Sequence, residues 1–147
     1  MIAEETESAI KTLNVTKEVV INAPPDVVFE TLLEPHGPMK DLNMKLEPWV
    51  GGRWFRDLGN NTGHLWGHVQ VIKPPKVLEL VGPMMMSFPV ASHIQYRLTE
   101  QPGGTLLKFT HQAIGLIPPE LQQNVNQGWG EMLEHIRAAA ETKRAQK

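Results

Sequence analysis

The chain has 147 residues, with 14 Lys and Arg against 16 Asp and Glu, a formal net charge of −2 and no cysteine. That length predicts one domain, the near-neutral charge gives no basic footprint for nucleic acid or anionic lipid, and the missing cysteines exclude disulfides, thiolate metal sites and a cysteine nucleophile. The opening MIAEETES is acidic and has no apolar core, and no apolar run approaches the roughly 20 residues of a membrane-spanning helix. The expectation is a cytoplasmic protein without membrane insertion.

Residues 1–14 carry a weak helical pattern through Ile2, Ala9, Ile10 and Leu13, with Glu4, Glu5 and Glu7 near its start. They are read as an extension preceding a domain over 15–147. Residues 15–22, rich in β-branched types, read as a strand. Ala23-Pro24-Pro25-Asp26 then opens a helix whose apolar stripe is Val27, Val28, Phe29, Leu32 and Leu33, and Pro35-His36-Gly37-Pro38 stops it. A short helical turn near 38–43 and a brief strand near 45–49 follow. From Gly51-Gly52 the pattern becomes a meander of strands at 53–58, 63–73, 76–82, 90–100 and 104–115. Its breaks are Gly59-Asn60-Asn61, Pro74-Pro75 and Gln101-Pro102-Gly103-Gly104. Met84-Met85-Met86 sits in a looser connection between Gly82 and Pro89. Pro118-Pro119 starts a long helix to about 145, with Leu121, Val125, Trp129, Met132, Leu133, Ile136 and Ala140 on one stripe.

Helices set apart from a run of strands define an α+β class. An antiparallel sheet of six to seven strands must cover one face, and the C-terminal helix is the element long enough to do so. Space between a curved sheet and that helix is the candidate binding cavity.

Several stretches carry a resemblance to a known family. They are Ile21-Asn22-Ala23-Pro24-Pro25-Asp26-Val27-Val28-Phe29, Val50-Gly51-Gly52-Arg53-Trp54, Gly67-His68-Val69 with Pro74-Pro75-Lys76-Val77-Leu78, Gly104-Thr105-Leu106-Leu107 with Thr110-His111, and Gly128-Trp129 with Leu133 and Ile136. In this order they resemble the START-like, birch-pollen-allergen-like (SRPBCC) superfamily of helix-grip proteins. Within it they look most like the family named after the activator of the heat-shock-protein-90 ATPase, which includes polyketide-cyclase-like proteins. The resemblance covers about residues 15–142. It implies a helix-grip fold and no single activity, because the fold hosts binding proteins, cyclases, hydrolases and co-chaperone domains. Residues 36–50 and the Pro83–Pro89 segment depart from the family pattern.

Strand alternation sets the candidate site. Leu107, Phe109 and His111 share the face expected toward the helix, as do Ile94, Tyr96 and Leu98. His111 is read as a pocket polar group, an acid/base, or a histidine satisfied by a backbone carbonyl. The hydroxyl of Tyr96 needs a partner, which a ligand, a water or a neighbour can supply. Trp54 is expected inside. Arg56 then either enters the cavity to meet a ligand carboxylate or, in the opposite phase, lies in water. His64 and His68 flank Trp66 on the same face, but on a strand they stand roughly 13 Å apart and cannot share a metal ion. Glu131 and His135 fall off the apolar stripe of the last helix and read as a solvated pair. The methionine run with Phe88 forms an adaptable entrance, core filler or a dimer contact.

The lining expected for the cavity is therefore Trp54, Arg56, Leu80, Met84, Met86, Phe88, Ile94, Tyr96, Phe109, His111, Trp129 and Leu133, with no metal and no cofactor. The sequence lacks G-x-S-x-G, H-E-x-x-H and phosphate-loop motifs, and its serines (Ser8, Ser87, Ser92) have no recognisable triad. The leading expectation is a binding module for a small hydrophobic molecule or lipid. The alternatives are a cyclase- or hydrolase-type enzyme using pocket polar residues, and a co-chaperone-like interaction domain. A homodimer and a chaperone partner are left open.

Overall fold

The structure, a computed structural model, describes residues 9–146. In chain order the elements are β1 (Lys11–Ile21), α1 (Pro25–Leu32), α2 (Pro38–Asp41), β2 (Met44–Leu46), β3 (Arg53–Gly59), β4 (Thr62–Lys73), β5 (Val77–Gly82), β6 (Val90–Gln101), β7 (Gly104–Gly115) and α3 (Leu121–Ala145). The seven strands form one sheet in the order β1-β7-β6-β5-β4-β3-β2, antiparallel throughout. The α+β class and the strand count agree with the sequence reading. Of the expected N-terminal extension, residues 1–8 lie outside the described residues. Its last four residues, 11–14, are strand rather than helix, because Leu13 alternates with Val15 on the inner face instead of pairing with Ile10.

Alternation drives the core. Leu13, Val15 and Ile21 from β1, Leu78 and Leu80 from β5, Ile94, Tyr96 and Leu98 from β6, and Leu107 and Phe109 from β7 are all buried. From α3, Leu133, Ile136 and Ala140 are buried against them. The α1 stripe of Val27, Val28, Phe29 and Leu32 closes the same core beside α3.

α3 is held along β1 largely by its own polar side chains. The amide of Gln122 both accepts from the Asn14 N–H (3.2 Å) and donates to the Asn14 carbonyl (3.0 Å). Lys17 Nζ donates to Asn126 Oδ1 at 2.8 Å, and the Asn22 N–H donates to Glu141 at 3.0 Å. The spans match: residues 14 to 22 of an extended strand cover roughly 26 Å, and 122 to 141 of a helix roughly 28 Å. The helix is thereby pinned along one margin of the sheet, nearest β1 and α1, and the rest of the inner face lies to one side of it.

One expectation of strand phase is corrected. His64 and His68 are exposed while Trp66 is buried. The β3–β4 register shifts between Trp54, opposite Gly67, and Phe55, opposite Leu65, so Trp66 is the extra residue of a bulge. It turns inward to pack edge-on against Trp54, with ring centroids 5.3 Å apart.

Candidate functional site

A cavity of about 420 Å³ lies between the sheet and the first half of α3. Trp54 reaches it from β3, Leu80 from β5, Tyr96 from β6 and His111 from β7, while Leu121, Val125, Trp129 and Met132 reach it from α3. Each strand residue sits on the inner row that alternation defines, and each helix residue on the apolar stripe.

The Met84–Met86 turn closes one side. Its course depends on two glycines where β4 and β5 come together. A Cβ on Gly67 would lie 2.5 Å from the Val81 carbonyl oxygen, and one on Gly82 (φ +150°) would lie 2.5 Å from Gly67 Cα. That approach lets the Met84 N–H donate to the Trp66 carbonyl at 2.8 Å and turns the Met84 side chain into the interior, only 4% exposed. Met84 itself has φ +61°, a costly conformation for a long side chain.

The polar centre of the cavity is a pair. Trp129 Nε1 donates to His111 Nδ1 at 2.9 Å. The second ring nitrogen, Nε2, is buried and has no hydrogen-bond partner. Burial pushes the His111 pKa down from 6.5 to about 4, so the imidazole is neutral at pH 7. Burial likewise raises the pKa of Tyr96 and keeps its hydroxyl protonated. Phe109 lies between Tyr96 and Trp129, at centroid distances of 5.2 and 4.3 Å, and fixes both rings.

Of the expected lining residues, Trp54, Leu80, Met84, Met86, Tyr96, His111 and Trp129 border the cavity. Arg56, Phe88, Ile94, Phe109 and Leu133 do not. Phe109 is wholly buried behind Tyr96 and Trp129. Ile94 is wholly buried between its cross-strand neighbours Leu80 and His111. Leu133 is turned into the core, and its neighbour Met132 takes the cavity side. Phe88 packs against the core after the methionine turn. Arg56 shares the inner face of Trp54 and of its β2 partner Met44, and its Nε is buried without a hydrogen-bond partner, yet it does not border the cavity itself.

Sequence reasoning missed His36, Met39, Met44 and Leu46, which come from the 36–50 segment that had no clear periodicity. His36 is buried, with Nε2 2.7 Å from the Thr31 carbonyl oxygen. Leu121, Val125, Met132 and Ile136 also border the cavity. Their signal was present, because they share the helical stripe of Trp129. Glu34, Glu131 and His135 border it while exposed, which marks the rim. His135 lies over Gly37 (φ +54°), where a Cβ would come within 2.7 Å of the imidazole. Among the described residues no group of three or more His, Asp or Glu could hold a metal ion.

A seven-stranded antiparallel sheet around a long C-terminal helix, with a cavity between them, is the helix-grip architecture of START-like proteins. The family model described as "Activator of Hsp90 ATPase homolog 1-like protein" matches residues 22–141, and the chain belongs to that family. Among solved structures, an uncharacterised protein from Rhizobium leguminosarum superposes with a TM-score of 0.74 at 21% identity, covering 93% of this chain and 99% of that one. A Staphylococcus aureus protein of unknown function gives 0.69 at 15% identity, with 94% and 98% covered. The Aha1 dimer from Colwellia psychrerythraea gives 0.61 at 17% identity, with 88% and 96% covered. At these identities the likeness is one of fold. No curated protein matches the chain. No helix among the described residues is long and apolar enough to cross a membrane.

Proposed function

We propose that the chain binds a small, predominantly apolar molecule, such as a lipid chain or a polycyclic compound, between the sheet and α3. The observation that carries this is the cavity itself. Its volume of about 420 Å³ lies within the roughly 300–1,000 Å³ of small-molecule sites, whereas packed interiors hold few voids larger than a water. Its walls are tryptophan, leucine, methionine and tyrosine, with the charged residues at the rim.

The test is native mass spectrometry of the purified protein, followed by denaturing extraction and small-molecule mass analysis. A co-purifying apolar compound, lost when Val125→Trp fills the cavity of a still folded protein, supports the reading. A ligand-free protein that also fails to take up an apolar fluorescent dye, with or without Val125→Trp, overturns it. The presence of His111 and Tyr96 in one cavity favours a second reading, a cyclase- or hydrolase-type reaction. Turnover by the native protein and not by His111→Ala is its signature.

A further inference from the structure

Within that cavity the Trp129–His111 hydrogen bond has a chemical consequence. An indole N–H only donates, so His111 Nδ1 must be the acceptor at 2.9 Å. The neutral ring then carries its proton on Nε2. That atom is buried and has no partner, so an N–H donor is left unsatisfied in a residue that borders the cavity. Buried donors of this kind are normally paired, and an orphan one marks a place for something else.

The surroundings decide what that partner is. No lysine or arginine borders the cavity among the described residues, and the carboxylates that do, Glu34 and Glu131, lie at its exposed rim. A carboxylate or phosphate would find no cation among the residues that border the cavity. A neutral oxygen needs none.

We propose that the ligand carries a neutral hydrogen-bond acceptor, a ketone, ester or ether oxygen, that takes the Nε2–H of His111. The site then selects oxygenated apolar molecules over hydrocarbons of the same shape. Trp129 is the positioning residue: it presents the donor by occupying the other ring nitrogen. The inference rests on the cavity-binding reading above and adds the chemistry of the ligand.

The experiment uses two matched probes, 2-acetylnaphthalene and 2-isopropenylnaphthalene, which share shape and differ in the carbonyl oxygen. Each is titrated into the full chain by calorimetry. The ketone is expected to bind roughly tenfold tighter or better, because a site built to hydrogen-bond one group rejects the analogue that lacks it. In His111→Phe the preference disappears while the hydrocarbon still binds. Ring 15N shifts of His111 in the native protein provide a readout that does not depend on a variant folding. The free protein shows the Nε2–H tautomer, and the ketone moves the Nε2 resonance where the hydrocarbon does not. Trp129→Phe mixes the tautomers and narrows the preference.

Equal affinity for the two probes in the native protein, a ketone preference that survives His111→Phe, or an Nδ1–H tautomer in the free protein each overturns the proposal while leaving cavity binding intact. Failure of both probes to bind overturns the cavity reading and this inference with it.

Discussion

The two halves of α3 meet the same sheet in different ways. Its second half is seated: Ile136 and Ala140 are buried, with Ala140 wholly so, near Ile21, Leu107 and the α1 stripe. Its first half only bridges: Leu121, Val125 and Trp129 are partly exposed and border the cavity. The stripe is continuous along the helix, so periodicity alone does not separate the halves. What separates them is the filling beneath: α1 completes the core at one end, and at the other the methionine turn and the 36–46 segment wall off a space without occupying it. A helix pinned along β1 can serve both as the clamp of a core and as the roof of a site.

Substitutions at the two ends should therefore diverge. Leu107→Ala, in the seated half, is expected to cost about 4 kcal/mol in urea denaturation, the range of a wholly buried leucine. Met86→Ala, beside the cavity, should cost less than about 1 kcal/mol, because it enlarges a space that already exists. Equal costs would mean that the cavity end is packed as tightly as the core.

The next effect is one of pH. The folded pKa of His111 is depressed from 6.5 to about 4, so in between the unfolded state binds more protons. Stability should be fully present above 6.5 and should fall as the pH drops to about 4, by up to about 3 kcal/mol, and this group adds no further loss below that. In His111→Phe the slope over this window should flatten, as followed by thermal melts at successive pH values.

Overpacking comes third. Ala140→Leu should destabilise by about 2 kcal/mol, since nothing beneath it can give way, whereas Val125→Leu should be nearly neutral. A reversal of that order in denaturation experiments would break the distinction between clamp and roof. The smallest effect belongs to Lys143, which pairs with Glu34 and lies 3.6 Å from Glu30. Lys143→Met should change stability by less than about 1 kcal/mol, because such surface pairs are screened, and raising the salt concentration should erase what difference there is.

Much of this architecture was legible in the residues. The strand boundaries of β3 to β7 follow from alternation and from the Gly, Asn and Pro breaks, and the stripe of α3 follows from spacings of three and four. Three places defeated that reasoning for separate physical causes. Leu13 fits both a helical and a strand period, and only pairing with β7 decides between them. Trp66 lies at a bulge, which shifts the phase of a strand without changing its composition. The 36–46 segment is too short and broken to carry a period, yet it supplies His36, Met39, Met44 and Leu46 to the cavity wall. The inner rows identified Tyr96 and His111, but alternation cannot tell a residue facing a void from one such as Ile94 facing a neighbour. The Trp129–His111 bond needed coordinates, because it joins a helix position to a strand position 18 residues apart.

The amide of Gln122 has a role that goes beyond holding the helix. By accepting from the Asn14 N–H and donating to its carbonyl, it occupies the two backbone groups that an added strand would use there. At the opposite margin β2 is three residues long, too short to template much. The sheet thus presents one margin interrupted by a side chain that imitates a neighbouring strand and another cut short, which are two separate defences against edge-to-edge association. Removing the Gln122 amide would reopen the longer margin to whatever extended chain arrives first.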